Sequence, residues 1–153
     1  MNSSEGRLRI LLDTTYLLPI VGVDVEGVGE ALRALERLYR LGRAEVYYTP
    51  FNLLEILGKL SRINYDPGRV RLGLASIREA FRVTHPTPAG YMKALELRRR
   101  GFKDAVDLLL YTTSKTRGLT FLTRDLSLIR FLEKAGEDTA NILYEEDFTR
   151  KHG

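Results

Sequence analysis

Apolar residues follow two rhythms along this chain. They gather toward the end of Arg7-Leu8-Arg9-Ile10-Leu11-Leu12, recur in Ala44-Glu45-Val46-Tyr47-Tyr48-Thr49, run together in Leu119-Thr120-Phe121-Leu122-Thr123, and return in Asn141 to Tyr144. Short runs of this kind predict strands. Pro50 ends the second. Elsewhere the spacing is helical. Ala31, Leu32, Leu35, Leu38 and Tyr39 share one face over Glu30 to Leu41, and Gly42 stops that helix. Further helices are expected over Phe51 to Ile63, from the Asp66-Pro67-Gly68 turn to about Phe81, over Ala89 to Arg99, and over Phe102 to Thr116, the most apolar of all. Another runs from Leu126 to Lys134, between Asp125 and Gly136. Asp13-Thr14-Thr15 closes the first strand and can cap a short helix around Tyr16 to Leu18. Gly22, Gly27 and Gly29 mark a loop, and His85-Pro86-Thr87-Pro88 is a rigid break.

Strands that alternate with helices predict a three-layer α/β/α sandwich with a mainly parallel central sheet. No repeat, low-complexity linker or second composition interrupts the pattern, so one domain is expected over 1–153. Its core lies at about 7–145, with loose ends at Met1 to Gly6 and Glu145 to Gly153.

A length of 153 residues suits one substantial core, and 44% apolar with 29% charged residues fits a folded globular chain. The absence of cysteine excludes disulfides, thiolate zinc sites and thiol catalysis. No run is long and apolar enough to span a bilayer. The best, Tyr16 to Val23, is short and broken by Pro19. The polar start, Met1 to Gly6, lacks a signal-peptide core, so a cytoplasmic location without membrane partners is expected. A net charge of +4 favours an anionic partner such as nucleic acid.

The acidic residues sharpen that picture. Asp13 follows Ile10-Leu11-Leu12 at the carboxyl end of a strand, where open α/β sheets bind ligands; it would also serve as a helix N-cap. Asp125 follows Leu122-Thr123-Arg124 in the same way and has the same plain alternative. Glu55 has apolar neighbours on both sides, which favours at least half-burial over a solvated face. Asp107 stands within Ala105-Val106-Asp107-Leu108-Leu109-Leu110, where a lone carboxylate costs several kcal/mol unless paired or bound to a cation. Asp104 lies one helical step away, and a first-turn acid there also suits the helix dipole. Packed together, such carboxylates repel unless a cation or protons join them, and hard oxygen ligands select Mg2+ or Mn2+. The structural rival is a set of ion pairs with Arg124, Arg98, Arg99 or Lys103.

The order of Ile10-Leu11-Leu12-Asp13-Thr14-Thr15, Asn52-Leu53-Leu54-Glu55-Ile56, Asp104-Ala105-Val106-Asp107-Leu108-Leu109-Leu110 and Phe121-Leu122-Thr123-Arg124-Asp125 resembles the PIN-domain ribonucleases, especially their VapC-like branch. The likeness runs from about Leu8 to Leu143. It implies a metal site at Asp13, Glu55, Asp107 and Asp125, with Asp104 similar to an extra acid in some members. Thr14, Thr15 and Thr123 fall where small hydroxyl residues support the ligands. It further implies Mg2+- or Mn2+-dependent endonucleolytic hydrolysis of RNA to 5′-phosphate and 3′-hydroxyl ends. Asp13, Asp107 and Asp125 would hold metal, and Glu55 would be a ligand or hold a bound water. The resemblance also implies a homodimer and, for a toxin, an antitoxin partner that lays a segment across the acidic groove. The sequence departs at Tyr111-Thr112-Thr113-Ser114, where alanines are usual, and Asn64 to Pro88 matches nothing specific.

Basic residues near those motifs are candidates for RNA: Arg98, Arg99, Arg100 and Lys103 in one cluster, Lys115, Arg117 and Arg124 in another, each also explicable as a solvated helix end. Tyr47, Tyr48 and Tyr91 could stack bases, though packing explains them as well. Only His85 and His152 exist, which disfavours a histidine triad or zinc site. The glycines have neither Rossmann nor P-loop spacing. Within the same family, an RNA-processing or ribosome-maturation nuclease is the alternative to a toxin. A catalytically inactive RNA-binding module is the alternative of another class.

Overall fold

The computed structural model describes residues 6–153. In chain order it contains β1 (Leu8–Leu12), 3-10 turns at Thr14–Tyr16 and Leu18–Val21, α1 (Gly29–Arg40), β2 (Ala44–Tyr48), α2 (Pro50–Leu60), α3 (Pro67–Ala80), β3 (Arg82–Val83), α4 (Pro88–Arg99), α5 (Ala105–Arg117), β4 (Thr120–Thr123), α6 (Leu126–Lys134), β5 (Ile142–Tyr144) and α7 (Glu145–His152). The five strands form one sheet in the order β3-β2-β1-β4-β5, and every pairing is parallel.

Alternation along the strands builds the layers, because successive side chains point to opposite faces. Ile10, Leu12, Val46, Tyr48 and Leu122 pack on one side with α1, α2, α3 and α7. Leu11, Tyr47 and Phe121 pack on the other with α4, α5 and α6. The expected α/β/α sandwich is therefore present.

Several local expectations change. The short helix after Asp13 is two 3-10 turns. β3, only two residues long and exposed, was not anticipated. The segment from Glu145 onward, expected to be loose, is α7, held by Phe148, which is fully buried in the first core. One apolar residue among charged ones gave the periodic signal too little to work with. The loose end expected at Met1 to Gly6 lies, except for Gly6, outside the described residues. No described helix is long and apolar enough to cross a membrane.

The topology positions the site. From β1 the chain moves outward to β2 and β3, then returns to place β4 on the other flank of β1. The order of strands reverses between β1 and β4, and in open parallel sheets a crevice opens at the carboxyl ends of such a pair.

Candidate active site

Asp13 follows β1 directly, and its N–H donates to Leu122 O of β4 at 3.1 Å. The two strand ends are thus locked side by side. Asp125 stands just beyond β4, Asp104 and Asp107 at the start of α5, and Glu55 midway along α2. All five acids line one cavity of about 370 Å³, together with Thr14, Thr15, Leu18, Lys59, Arg62 and Arg124.

Capping and convergence prove to be one device. Asp13 caps the first 3-10 turn, accepting from Thr15 N. Asp104 caps α5, its Oδ1 accepting from Asp107 N at 3.0 Å. Asp125 caps α6, its Oδ1 accepting from Ser127 N at 3.0 Å, Ser127 Oγ at 2.6 Å and Leu128 N at 3.2 Å. Each cap fixes a carboxylate at a helix start, where aligned N–H groups favour negative charge. For Asp104 the described hydrogen bond falls on Oδ1, and for Asp125 all the capping bonds do, so neither cap uses Oδ2. Asp104 is exposed, whereas Asp13 and Asp107 are buried, at 8% and 7% exposure.

A second layer of polar groups holds these acids. Thr123 Oγ1 donates to Asp13 Oδ2 at 2.8 Å. Thr14 Oγ1 donates to Glu55 Oε1 at 2.5 Å and accepts from Asn52 Nδ2 at 2.9 Å. Asn52 is fully buried; its Nδ2 also donates to Leu12 O, and its Oδ1 accepts from Thr49 N and Thr49 Oγ1 in the capping box of α2. Behind Asp13, buried Tyr16 donates to Glu145 Oε1 at 2.9 Å. Arg124 donates to Glu145 Oε2 at 3.2 Å and to Glu26 O at 2.9 Å. Thr14, Thr15 and Thr123 were expected beside the acids and Arg124 as an RNA contact or an ion-pair partner of the acids, whereas Arg124 pairs with Glu145, and the roles of Asn52, Tyr16 and Glu145 were not anticipated. For Asn52 the signal was present as a Thr-x-x-Asn box before an apolar run.

The electrostatics follow from crowding. Burial, aided by the charges of Asp125 and Asp104, pushes the Asp13 carboxyl above its usual range against the pull of Thr123 and Thr15. Burial also raises Glu55, with Asp104 and Asp13 adding to it and Thr14 and Lys59 opposing. Asp107 is pushed up to about 9, by burial first, then by Asp13 and Asp104, then by its hydrogen bond to Asp125. Burial also works against ionisation of Asp125, but hydrogen bonds from Ser127, Leu128 N–H and Asp107 outweigh it and keep this carboxyl below its usual range. Asp107 and Asp125 therefore share a proton at neutral pH, with Asp107 as its holder.

The donor set tests whether a divalent cation fits. Among the described residues no three carboxylates converge into a preformed ion cage. The cavity nevertheless carries only hard oxygen donors, free of histidine and cysteine, and its acids are too crowded for all to ionise unaided. A hard cation that displaced the shared proton would offset that repulsion, so the residues present fit Mg2+ or Mn2+.

Of the basic candidates, only Arg124 lines this cavity. Lys103 is exposed beside Asp104, and Arg98 donates to Phe102 O at the end of α4. Arg99 lines a separate surface hollow on α4. Lys115 is in the last turn of α5, at the opposite end from Asp107, and is paired with Asp138 at 2.5 Å. Tyr47 and Tyr48 are buried, which removes them as stacking platforms, while Tyr91 is exposed and edge-on to Phe51.

The PIN-domain family model matches residues 10–134, which spans every one of these acids. The chain belongs to the PIN-domain family. Its members are nucleases. Searched by sequence, no curated protein matches the chain. By fold, it is similar to VapBC2 from Rickettsia felis bound to a DNA fragment from its promoter, with a TM-score of 0.63 and 14% identity over 90% of this chain and 97% of the other. VapC20 of Mycobacterium tuberculosis, a Sarcin-Ricin loop cleaving toxin, is similar with a TM-score of 0.59 and 22% identity over 86% and 98% of the two chains. FitAcB from Neisseria gonorrhoeae gives 0.56 and 17% over 90% and 98%.

Proposed function

We propose that this PIN domain is a metal-dependent endoribonuclease and the toxin of a toxin–antitoxin pair. The observation that carries the catalytic reading is the gathering of Asp13, Glu55, Asp104, Asp107 and Asp125 around one cavity at the carboxyl ends of β1 and β4. Asp13, Asp107 and Asp125 would hold Mg2+ or Mn2+, with Glu55 beside them and Asp104 at the mouth. Such an ion, when bound, stabilises negative charge on the phosphate and lowers the pKa of water. Thr123 and Thr15 orient Asp13, and the Ser127 and Leu128 donors orient Asp125. Glu55, held by Thr14 and raised in pKa by burial, would accept a proton from an attacking water. Attack on phosphorus would break the P–O3′ bond and leave 5′-phosphate and 3′-hydroxyl ends.

The toxin reading is supported by the likeness in fold to VapBC2, VapC20 and FitAcB together with a second cavity. About 460 Å³ lies between α1 and α3, walled by Leu32, Leu35, Tyr39, Leu72 and Phe81. Its floor includes Leu12 and Tyr16, which back the acidic site. Apolar side chains of an antitoxin segment would seat there while its polar end crosses the carboxylates. Exposed Leu54 and Leu57 on α2 and Tyr91, Met92 and Leu95 on α4 offer apolar surface to a second copy in a homodimer. A cytoplasmic location is the corresponding expectation.

Cleavage of a mixed set of labelled RNAs with Mg2+, Mn2+ or EDTA, by the natural chain and by Asp13→Asn and Asp107→Asn, tests the catalytic reading. Metal-dependent cutting lost in both variants is expected. Equal cutting by the variants would overturn the assigned site. RNA bound but never cut would favour the inactive binding module.

A further inference from the structure

The cavity that gathers the carboxylates carries a second chemistry on its rim. Lys59 and Arg62 line it beside Glu55 and Gly58. Glu55, Lys59 and Arg62 follow at i, i+4 and i+7, so one side of α2 and the turn after it presents an acid and then two cations. Gly58 adds no side chain between them, and a Cβ there would meet nothing within 4 Å, which leaves the wall open. Arg62 Nε donates to Gly58 O at 3.3 Å, which lays the guanidinium along the helix end and leaves its other N–H groups for another acceptor.

Neither cation makes an ion pair with a described residue, although five acids line the same cavity. Arg124, on another part of the lining, is already committed to Glu145 and Glu26 O. The cavity therefore has one uncommitted basic wall and one tied basic group. A helix end alone favours cations, but it does not require that they share a cavity with the carboxylates and leave them unpaired.

We infer that Lys59 and Arg62 form a phosphate-binding rim that holds the polynucleotide backbone beside the scissile phosphate, so that the strand crosses the carboxyl end of α2. This rests on the nuclease reading above. Each neutralised phosphate releases counterions, so the rim must show itself in the salt dependence of binding.

The test uses the full chain carrying Asp107→Asn, which is expected to bind RNA without cutting it. Affinity for a fluorescein-labelled single-stranded RNA is measured by anisotropy between about 50 and 200 mM KCl. The same chain with Lys59→Ala and Arg62→Ala is compared with one carrying Arg78→Ala and Lys134→Ala, which removes equal charge away from the cavity. The rim variant is expected to bind about tenfold more weakly at low salt, with a slope shallower by about 1.4 for two lost contacts to a single strand. Its melting temperature should match that of the control. Equal losses in the two variants, or an unchanged slope, would overturn the rim while leaving the nuclease reading intact. Failure of the Asp107→Asn chain itself to bind RNA would also overturn the rim, whereas the nuclease reading stands or falls on metal-dependent cleavage by the natural chain.

Discussion

Thr123 Oγ1 donates to Asp13 Oδ2 at 2.8 Å, so a hydroxyl at the end of β4 holds the carboxylate at the end of β1. The same oxygen accepts from Asp125 N at 3.1 Å, which ties both acids to one side chain. Replacing Thr123 by valine keeps the shape and removes both contacts. We expect Thr123→Val to lower Mn2+ affinity about 10- to 100-fold, the usual effect of losing a group that orients a ligand. Thr123→Ser should restore most of it. Isothermal titration with Mn2+ checks this, and equal affinity in the valine variant would remove Thr123 from the positioning layer.

Asn52 is the hinge of the second layer. It serves Leu12 O, Thr14 Oγ1 and the Thr49 cap at once from a fully buried position. Asn52→Ala leaves several buried polar groups without partners, each worth about 1–3 kcal/mol. A loss of about 3 kcal/mol or more in urea unfolding is expected, along with reduced cleavage because Thr14 no longer holds Glu55 in place. Asn52→Asp should fare no better, since a carboxylate cannot donate to Leu12 O. A loss below about 1 kcal/mol would show that water replaces the amide.

The acids were legible in the sequence because each broke an apolar pattern: Asp107 inside Val106 to Leu110, Asp13 and Asp125 at strand ends. Periodicity could not say whether strand-end acids were caps or ligands. Asp125 caps α6 through Oδ1 and still lines the cavity, so being a cap does not take a strand-end acid away from the site. Lys59 and Arg62 were not legible, because their meaning depends on how α2 lies against the strand ends, a tertiary fact. The α7 helix was missed because a single apolar residue, Phe148, anchors it. The basic runs misled for the opposite reason: Lys115 is near Asp107 in sequence but sits at the other end of α5.

Tyr16 and Arg124 meet through Glu145, which accepts from both. Tyr16 is fully buried, and burial raises its phenol far above the usual range, so it acts as a neutral donor. Tyr16→Phe removes a hydrogen bond to a charged acceptor, worth about 2 kcal/mol. In an Arg124→Ala background, where Glu145 has lost its other partner, the same change should differ in cost by about 1 kcal/mol, as residues sharing one network couple. A double-mutant cycle from urea melts measures this, and strict additivity would mean that the three side chains act independently.

Asp107 makes the metal-free protein sensitive to pH, and the sign follows from its shift. The carboxyl has an ordinary value of 3.8 in the unfolded chain and about 9 in the fold. Between those values the unfolded chain gives up its proton while the folded one keeps it. The folded state then binds more protons, so stability falls as pH rises through this window and levels off beyond its upper end. Asp13 and Glu55, also raised, add to the same trend. Asn in place of Asp107 keeps a donor toward Asp125 and does not titrate. In EDTA the natural chain should therefore lose more melting temperature than Asp107→Asn between about pH 5 and about pH 8, and the variant should be the more stable of the two at the higher pH. Added Mn2+ should reverse that order, because the cation relieves repulsion that the amide has already removed. Parallel melting curves in EDTA would mean that Asp107 ionises freely in the fold, and the shared proton with Asp125 would have to be abandoned.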